Sequence, residues 1–484
     1  MSSLKNQAIE GTKWSSLQTG ANQLIAFFIS LVLARLLTPE DYGTVGVLGV
    51  FIAVSNIFVG SGLSLSLIRD KESTNVDYST VFYYNIAVAV LCYIILYFAA
   101  PAISVFFHNP ILTNILRVIA LNIIICSFGA IQNIILSKNL NFKAYTKISV
   151  GVQLITGIIG IILAYTGFGV WTLVITGLLS SLLTTVLLWF KVSWHPDFCF
   201  SKTSFQKHFH FGSRLLISSL FDTFYKKIYQ LVIGKKFSAI DLGYYTRANN
   251  FASLPMNSVL DVIGKVAFPL LSKIQDDDER LATAYRKIIR MVNFFVTPIM
   301  LGIISIAHPM VSVLITDKWL PCVPYLQVLC LVCLLYPIHA LNLNLLQVKG
   351  KSNLFLKLEV IKKILGFGIL CITVPFGILA MCLGSFAASL ICLFINTYYT
   401  KKLIGFGLYE QIRELIPVFA LGIFMMTGSF LCQNLVESSI AKLIMGCTVG
   451  SVIYITGSVF GKFQEWRESI SIFKQQLYGC SKAR

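Results

Sequence analysis

Long apolar stretches alternate with short polar links along almost the whole chain. A helix that crosses a bilayer needs roughly 20 mainly apolar residues, and by that measure the pattern predicts about fourteen such spans. The predicted spans cover about residues 14–37, 43–67, 80–107, 111–136, 148–165, 169–190, two spans within 211–272, 291–315, 321–346, 358–375, 377–400, 412–434 and 439–461. The pattern therefore predicts an all-α, polytopic membrane protein.

The composition supports this prediction and leaves no room for a large soluble domain. Of the 484 residues, 56% are hydrophobic and 12% are charged, whereas a soluble globular protein carries about 25% charged residues. The apolar character of the first span continues past the short core that a cleavable secretion signal needs. We therefore expect this segment to remain in place as the first membrane span.

The formal net charge of +18 raises the question of nucleic-acid binding. Most of the 39 Lys and Arg residues fall in links on the side of the membrane that holds the N-terminus. Basic residues concentrate on the cytoplasmic side of polytopic proteins. The distribution predicts cytoplasmic N- and C-termini, and it attributes the positive charge to membrane topology rather than to a nucleic-acid partner.

A short pattern recurs in the two halves of the chain. ARLLTPEDYG at residues 34–43 and GKKFSAIDLG at residues 234–243 both follow an apolar span, and a basic residue, an aspartate and a glycine align between them. Because six spans lie in each half, the two copies would share one orientation, and such parallel repeats place a substrate site at their interface. We therefore predict lobes at residues 1–200 and 201–404, followed by two helices and a tail at residues 405–484.

Charged residues inside the seventh and eighth spans are candidates for a site. A charge near the bilayer centre costs on the order of 3 kcal/mol, so it usually faces a partner or a water-filled cavity. Asp222 and Lys226 are four residues apart and share one helical face. Asn257, Asp261 and Lys265 form a similar stripe in the eighth span. Either the lysines bind an anionic ligand, or each Asp–Lys pair neutralises itself and holds helices in register.

The first span carries a polar stripe of its own. Ser15, Gln18, Thr19 and Asn22 recur at helical spacing and share one face. Two interpretations remain open for this stripe: it is polar glue between packed helices, or it lines a hydrophilic cavity. If the second copy of the repeat faces the first, the stripe and the charged spans surround one central cavity.

The motifs LARLLTPEDYG at residues 33–43 and IGKKFSAIDLGYYTRA at residues 233–248 resemble those of the Wzx-type polysaccharide flippases. These proteins belong to the multidrug/oligosaccharidyl-lipid/polysaccharide exporter superfamily. The resemblance covers nearly the whole chain. It implies two six-helix lobes around a central cavity plus two C-terminal helices.

The resemblance also implies a function. Such a protein is expected to flip undecaprenyl-pyrophosphate-linked oligosaccharide across the bacterial inner membrane by alternating access, for O-antigen, capsule or exopolysaccharide synthesis, and not to be an enzyme. By position, Lys226 and Lys265 match the basic residues of the central cavity in relatives. Asp222 matches an acidic residue of a cation site, which leaves coupling to H+ or Na+ open. A polysaccharide polymerase and glycosyltransferases are the expected protein partners.

The nearest alternative is a cation-coupled drug or small-molecule antiporter of the same superfamily. Such an antiporter would favour isolated carboxylates in an apolar pocket, whereas lysines accompany the carboxylates in this chain. Within the superfamily, the lipid II flippases carry an Arg-Asp pair early in the first span. The comparable region here, at residues 20–23, is uncharged, which argues against lipid II as the substrate.

The motifs indicate neither an enzyme nor a metal or cofactor site. No nucleophile elbow, phosphate loop or zinc signature occurs in the sequence. The pair His208 and His210 has no third ligand near it in the sequence. The acidic run at residues 276–279 lacks the ligand spacing and the glycine of a calcium-binding loop.

Overall fold

The computed structural model describes residues 2–70, 72–139 and 141–471. Within these ranges the description leaves out the side chains at positions 2–13, 15, 16, 61, 62, 65, 211, 214, 215, 258, 260–262, 265 and 266. The described ranges are helical and contain no strand. The prediction of an all-α protein is confirmed.

Sixteen α-helices follow one another in the described part of the chain. In order they are α1 (Ser2–Leu36), α2 (Pro39–Arg69), α3 (Asn75–Phe106), α4 (Ile111–Ile119), α5 (Leu121–Lys138), α6 (Phe142–Tyr165), α7 (Val170–Lys191), α8 (Lys202–Lys236), α9 (Ala239–Val262), α10 (Phe268–Ser272), α11 (Asp278–Ile315), α12 (Val323–Val348), α13 (Ser352–Thr373), α14 (Ile378–Ile404), α15 (Leu408–Gln433) and α16 (Ser439–Phe460). A π-helical turn at Ile263–Ala267 joins α9 to α10, and 3-10 turns at Asp317–Cys322 and Val374–Phe376 precede α12 and α14.

Eleven segments of the described chain are long and apolar enough to cross a membrane. Helices α4 and α5 together make one of them, because Ala120 between them keeps a helical backbone with φ −65° and ψ −21°. The three predicted spans that fall on α8, α9 and α13 are not among the eleven. Each of these three helices carries several charged residues, which lower its mean hydropathy. The polytopic class is confirmed, and the count of fourteen spans stays a prediction.

Side-chain caps begin helices where the chain turns from one span to the next. At the start of α2, the backbone N–H of Thr38 donates to Asp41 Oδ2 at 2.8 Å, and the backbone N–H of Asp41 donates to Thr38 Oγ1 at 3.3 Å. Thr74 and Asp77 form the same capping box at the start of α3. Such caps satisfy the free N–H groups of the first helical turn and contribute about 1 kcal/mol each.

By its internal contacts the chain divides into a unit of residues 1–246 and a unit of residues 247–484. In the first unit, α2 packs along α8, and α1 packs along α6. In the second unit, α11 packs against α12, α15 and α16, and α12 packs against α14. Helix α8 thus groups with the first unit, and the predicted lobe bounds at residues 200 and 404 stay a prediction.

The second unit encloses a buried polar network around Asn342 on α12, which is 1% exposed. Its Oδ1 accepts hydrogen bonds from Tyr285 Oη at 2.8 Å, Thr400 Oγ1 at 2.5 Å and Gln411 Nε2 at 3.0 Å. The donors lie on α11, α14 and α15. Interhelical hydrogen bonds in a membrane protein average about 0.6 kcal/mol, so the three bonds together tie four helices with about 2 kcal/mol.

Candidate functional site

The two copies of the repeated motif adopt the same local structure. Ser238 caps α9 as Thr38 caps α2: its Oγ donates to Asp241 Oδ2 at 2.7 Å and accepts from the backbone N–H of Asp241 at 3.1 Å. The residues that form the two capping boxes occupy corresponding positions in the two motifs. This agreement supports the interpretation of the pattern as an internal repeat.

The two motifs also contact each other through their glycines. A Cβ atom added to Gly43 would lie 1.7 Å from the backbone oxygen of Ala239, and one added to Gly243 would lie 1.9 Å from the backbone oxygen of Pro39. Neither position has room for a side chain. Helix α2 and the first turn of α9 therefore cross with backbone against backbone, which explains why both copies carry a glycine at the same place.

Asp222 and Lys226 lie on one face of α8, as their spacing predicts. Lys226 Nζ is 2.7 Å from Asp222 Oδ2, and the two side chains are 68% and 43% exposed, respectively. The pair therefore lies at the surface of the protein and is not buried between helices. Lys227 is half-buried and is turned away from Lys226 by about 100° of helical rotation. The assignment of Asp222 and Lys226 to a substrate cavity stays a prediction.

The polar stripe of α1 makes contacts between helices. Asn22 Nδ2 donates to Ser149 Oγ at 3.2 Å, and the backbone oxygen of Asn22 accepts from Gln153 Nε2 at 3.0 Å. Both partners lie on α6, so Asn22 links α1 to α6, a contact that the first of the two interpretations also expects. Gln18 and Thr19 are half-buried.

These contacts involve Asn22 and not the other residues of the predicted stripe. The side chain of Ser15 lies outside the described residues. The assignment of Gln18, Thr19 and Asn22 to a cavity wall stays a prediction.

The eighth predicted span has a feature that its sequence pattern did not indicate. Asn257 is exposed on α9, whereas the side chains of Asp261 and Lys265 lie outside the described residues. The backbone there forms the π-helical turn Ile263–Ala267, which includes Lys265. Such turns frequently occur at functional sites. Hydrophobic periodicity does not change at a single wide turn, so the sequence pattern gives no sign of it.

The number of long apolar helices and their arrangement define a multi-pass, all-α membrane protein. Its fold also occurs in lipid and drug transporters. The solved structure of lipid II flippase MurJ in an inward closed conformation matches with a TM-score of 0.75 and 17% identity, over 94% of this chain and 99% of that chain. An inward-facing multidrug resistance MATE family transporter of the MOP superfamily matches with a TM-score of 0.60 and 16% identity, over 79% of this chain and 95% of that chain. At these identities the likeness concerns the fold alone.

Sequence comparison places the chain in a family. The family described as polysaccharide biosynthesis protein matches residues 32–324. This match spans more than half of the chain, and the chain belongs to that family. The resemblance to polysaccharide flippases is confirmed.

Three relatives show how far the similarity extends. An uncharacterized membrane protein in the cps region of Klebsiella pneumoniae is 27% identical, over 98% of this chain and 99% of its own. The lipopolysaccharide biosynthesis protein WzxC of Escherichia coli K12 is 26% identical, over 75% of this chain and 74% of its own. The succinoglycan biosynthesis transport protein ExoT of Rhizobium meliloti is 25% identical, over 91% of this chain and 90% of its own.

Proposed function

We propose that this protein translocates a lipid-linked oligosaccharide across the bacterial inner membrane for the synthesis of a surface polysaccharide. Its family and its fold support the proposal, and the observation that carries it is the exposed ion pair of Asp222 and Lys226 on α8. The resemblance to polysaccharide flippases makes undecaprenyl pyrophosphate the expected lipid carrier. In this proposal both termini lie in the cytoplasm.

The ion pair suits the most charged part of such a substrate. A diphosphate and its attached sugars have to cross a hydrocarbon core about 30 Å thick. The Lys226 ammonium offers three N–H donors to phosphate oxygens. Asp222 Oδ2 lies 2.7 Å from that ammonium. A diphosphate that enters replaces one anionic partner by another, so the lysine stays paired through the transport cycle.

A cation-coupled drug antiporter is the second candidate, and Asp222 is the observation that favours it. A carboxylate within a membrane helix is a typical element of an ion or proton pathway. The Lys226 ammonium, however, already takes the place beside Asp222 that a cation would occupy. Coupling to H+ or Na+ and contacts with a polymerase or glycosyltransferases remain separate proposals.

The test is the export of surface polysaccharide by a strain that lacks this chain and is complemented with variants. Lys226→Ala is expected to lower export about 10-fold or more at unchanged membrane abundance, because hydrogen bonds to charged groups contribute about 1.5–3 kcal/mol. Lys265→Ala is expected to act in the same way. Lys227→Ala removes an ammonium group at the next residue of α8, outside the pair of Asp222 and Lys226, and serves as the matched control.

Three outcomes would contradict the proposal in different ways. Equal loss of export and of membrane abundance in Lys226→Ala would make the ion pair purely structural. Equal loss of export in Lys226→Ala and Lys227→Ala would remove the specific role of the pair. Resistance to drugs without restored polysaccharide in the complemented strain would favour the antiporter.

A further inference from the structure

A second group of charged side chains lies where α2 ends and where α3 and α8 begin. His208 on α8 is 0% exposed, and its Nδ1 is 2.8 Å from Ser66 Oγ on α2. Its Nε2 is 3.6 Å from Asp77 Oδ1 on α3 and, among the residues described, has no hydrogen-bond partner. A hydrogen bond between nitrogen and oxygen spans about 2.7–3.2 Å. A buried imidazole nitrogen thus points at a carboxylate without bonding to it.

The carboxylate of Asp77 is held firmly in its orientation. Its Oδ2 accepts from the backbone N–H of Thr74 at 2.8 Å and from Thr74 Oγ1 at 2.9 Å. Its Oδ1 accepts from Ser204 Oγ at 2.5 Å. These bonds come from the capping box of α3 and from α8. Asp77 therefore presents Oδ1 toward His208 in a fixed position.

Asp70, the residue that ends α2, supplies a second carboxylate. One ligand atom each from Asp70, Asp77 and His208 lies within 4.8 Å of the others. Asp70 Oδ2 pairs with Lys207 Nζ at 2.5 Å, and its Oδ1 accepts from the backbone N–H of Glu72 at 3.2 Å. The hydrogen bond from Lys207 lowers the pKa of Asp70. The Lys207 side chain is 55% exposed, so its ammonium can leave the carboxylate for water.

The distances agree with two ligands of one metal ion. Zinc binds imidazole nitrogen and carboxylate oxygen at about 2.0–2.2 Å, so two such ligands in a tetrahedral shell lie about 3.4 Å apart. The observed separation of His208 Nε2 and Asp77 Oδ1 is 3.6 Å. Ser66 beside Nδ1 gives the imidazole the second hydrogen-bond partner that orients most metal-binding histidines.

We propose that His208, Asp77 and Asp70 form a binding site for a divalent transition-metal ion of the Zn2+ class. A neutral imidazole and two carboxylates balance the double positive charge, and a mixed nitrogen and oxygen ligand set suits such ions. The ion displaces Lys207 from Asp70 and fastens the ends of α2, α3 and α8 together. The ligands come from distant parts of the chain, which is why the sequence showed no third ligand near His208 and His210.

The metal site is separate from the proposed substrate pair. His208 and Asp222 both lie on α8, and at 1.5 Å per residue their separation of fourteen residues corresponds to about 21 Å along the helix. Metal binding can therefore be tested without measuring transport.

The test uses the full-length protein, purified in detergent and stripped of metal with a chelator. Titration with Zn2+ is expected to show one tight site per chain, and His208→Gln is expected to weaken it about tenfold or more. His210→Gln removes the neighbouring, exposed histidine and is expected to bind as the unchanged protein does. Lys207→Gln is expected to raise the affinity, because the competing ammonium is gone.

Several results would overturn the site. These are the absence of stoichiometric binding, binding that survives His208→Gln, or an affinity that does not rise in Lys207→Gln. X-ray absorption of the Zn2+-loaded, unmodified protein gives an answer even where a variant fails to fold. A first shell of nitrogen and oxygen at about 2.0–2.2 Å is expected, whereas one at about 2.3 Å would place the ion on cysteine sulfur and refute the proposal.

Discussion

At the crossing of α2 and α9, replacement of a glycine by alanine is expected to lower the stability of the protein strongly. In Gly43→Ala the new Cβ would lie 1.7 Å from the backbone oxygen of Ala239, and Cβ atoms essentially never approach another atom closer than 3.0 Å. The two helices therefore have to separate by at least about 1.3 Å, the difference between these two distances. The opposing atom belongs to the backbone and cannot turn away. Overpacking of this kind costs about 1–3 kcal/mol, and we expect the upper part of that range.

The measurement is the apparent melting temperature of the detergent-purified protein, followed by the loss of its monodisperse peak in gel filtration. Gly43→Ala is expected to melt at a lower temperature than the unchanged protein. Gly49→Ala is the matched control, because Gly49 lies on the same helix and a Cβ there meets nothing within 4 Å. Alanine stabilises a helix over glycine by about 1 kcal/mol, so this control should melt at the same temperature or higher.

The reciprocal contact allows a stricter version of the test. In Gly243→Ala the new Cβ would lie 1.9 Å from the backbone oxygen of Pro39. A separation of the helices that accommodates one methyl group at this crossing also makes room for the other. The double variant should therefore lose less than the sum of the single losses. Strict additivity, or a Gly43→Ala protein that melts like the Gly49→Ala control, would refute the backbone crossing.

Two further variants test contacts in the second unit. Asn342→Ala is expected to lower the apparent melting temperature by the equivalent of about 2 kcal/mol, because three donors lose their acceptor and Gln411 Oε1 loses the donor Asn342 Nδ2. Thr427→Ala, exposed on α15, should have no effect. Arg290→Gln is expected to speed proteolysis of the C-terminal segment. The side chain of Glu465 is 5% exposed and loses a partner at 2.5 Å in this variant. An unpaired buried charge costs about 3 kcal/mol. Arg280→Gln, at an 80% exposed side chain, should leave cleavage unchanged. Unchanged melting in the first case or unchanged cleavage in the second would contradict the contact concerned.

Helix bounds and contacts within one helix could be predicted closely, because residues close together in the sequence decide them. The sixth span, predicted at about residues 169–190, is the helix Val170–Lys191. The pair Asp222 and Lys226 likewise follows from spacing within one helix. The hydrophobic pattern was weaker on α8, α9 and α13, where charged residues interrupt the apolar run. It carried no information on the π-helical turn that includes Lys265.

The polar contacts between helices were only partly predictable. The stripe on α1 was visible in the sequence, but its partner helix was not. Asn22 bonds to Ser149 and Gln153, which lie far from it in the chain. The recurring motif was visible in the sequence, and the structure adds that Thr38 and Ser238 form capping boxes within it and that the two copies meet. A sequence pattern shows which residues share one face of a helix, but it does not show which other helix packs against that face.

The sequence by itself determined the class of this protein, its succession of apolar helices and the motif that recurs at residues 34–43 and 234–243. Backbone hydrogen bonds in a bilayer have to be satisfied within each span, so the apolar segments had to become helices. Only the tertiary structure decided that Gly43 meets the start of α9 and that His208 lies beside Asp70 and Asp77. Such contacts depend on how closely and at which register helices cross. Side chains far apart in the chain set that geometry together, and no single stretch of sequence contains it.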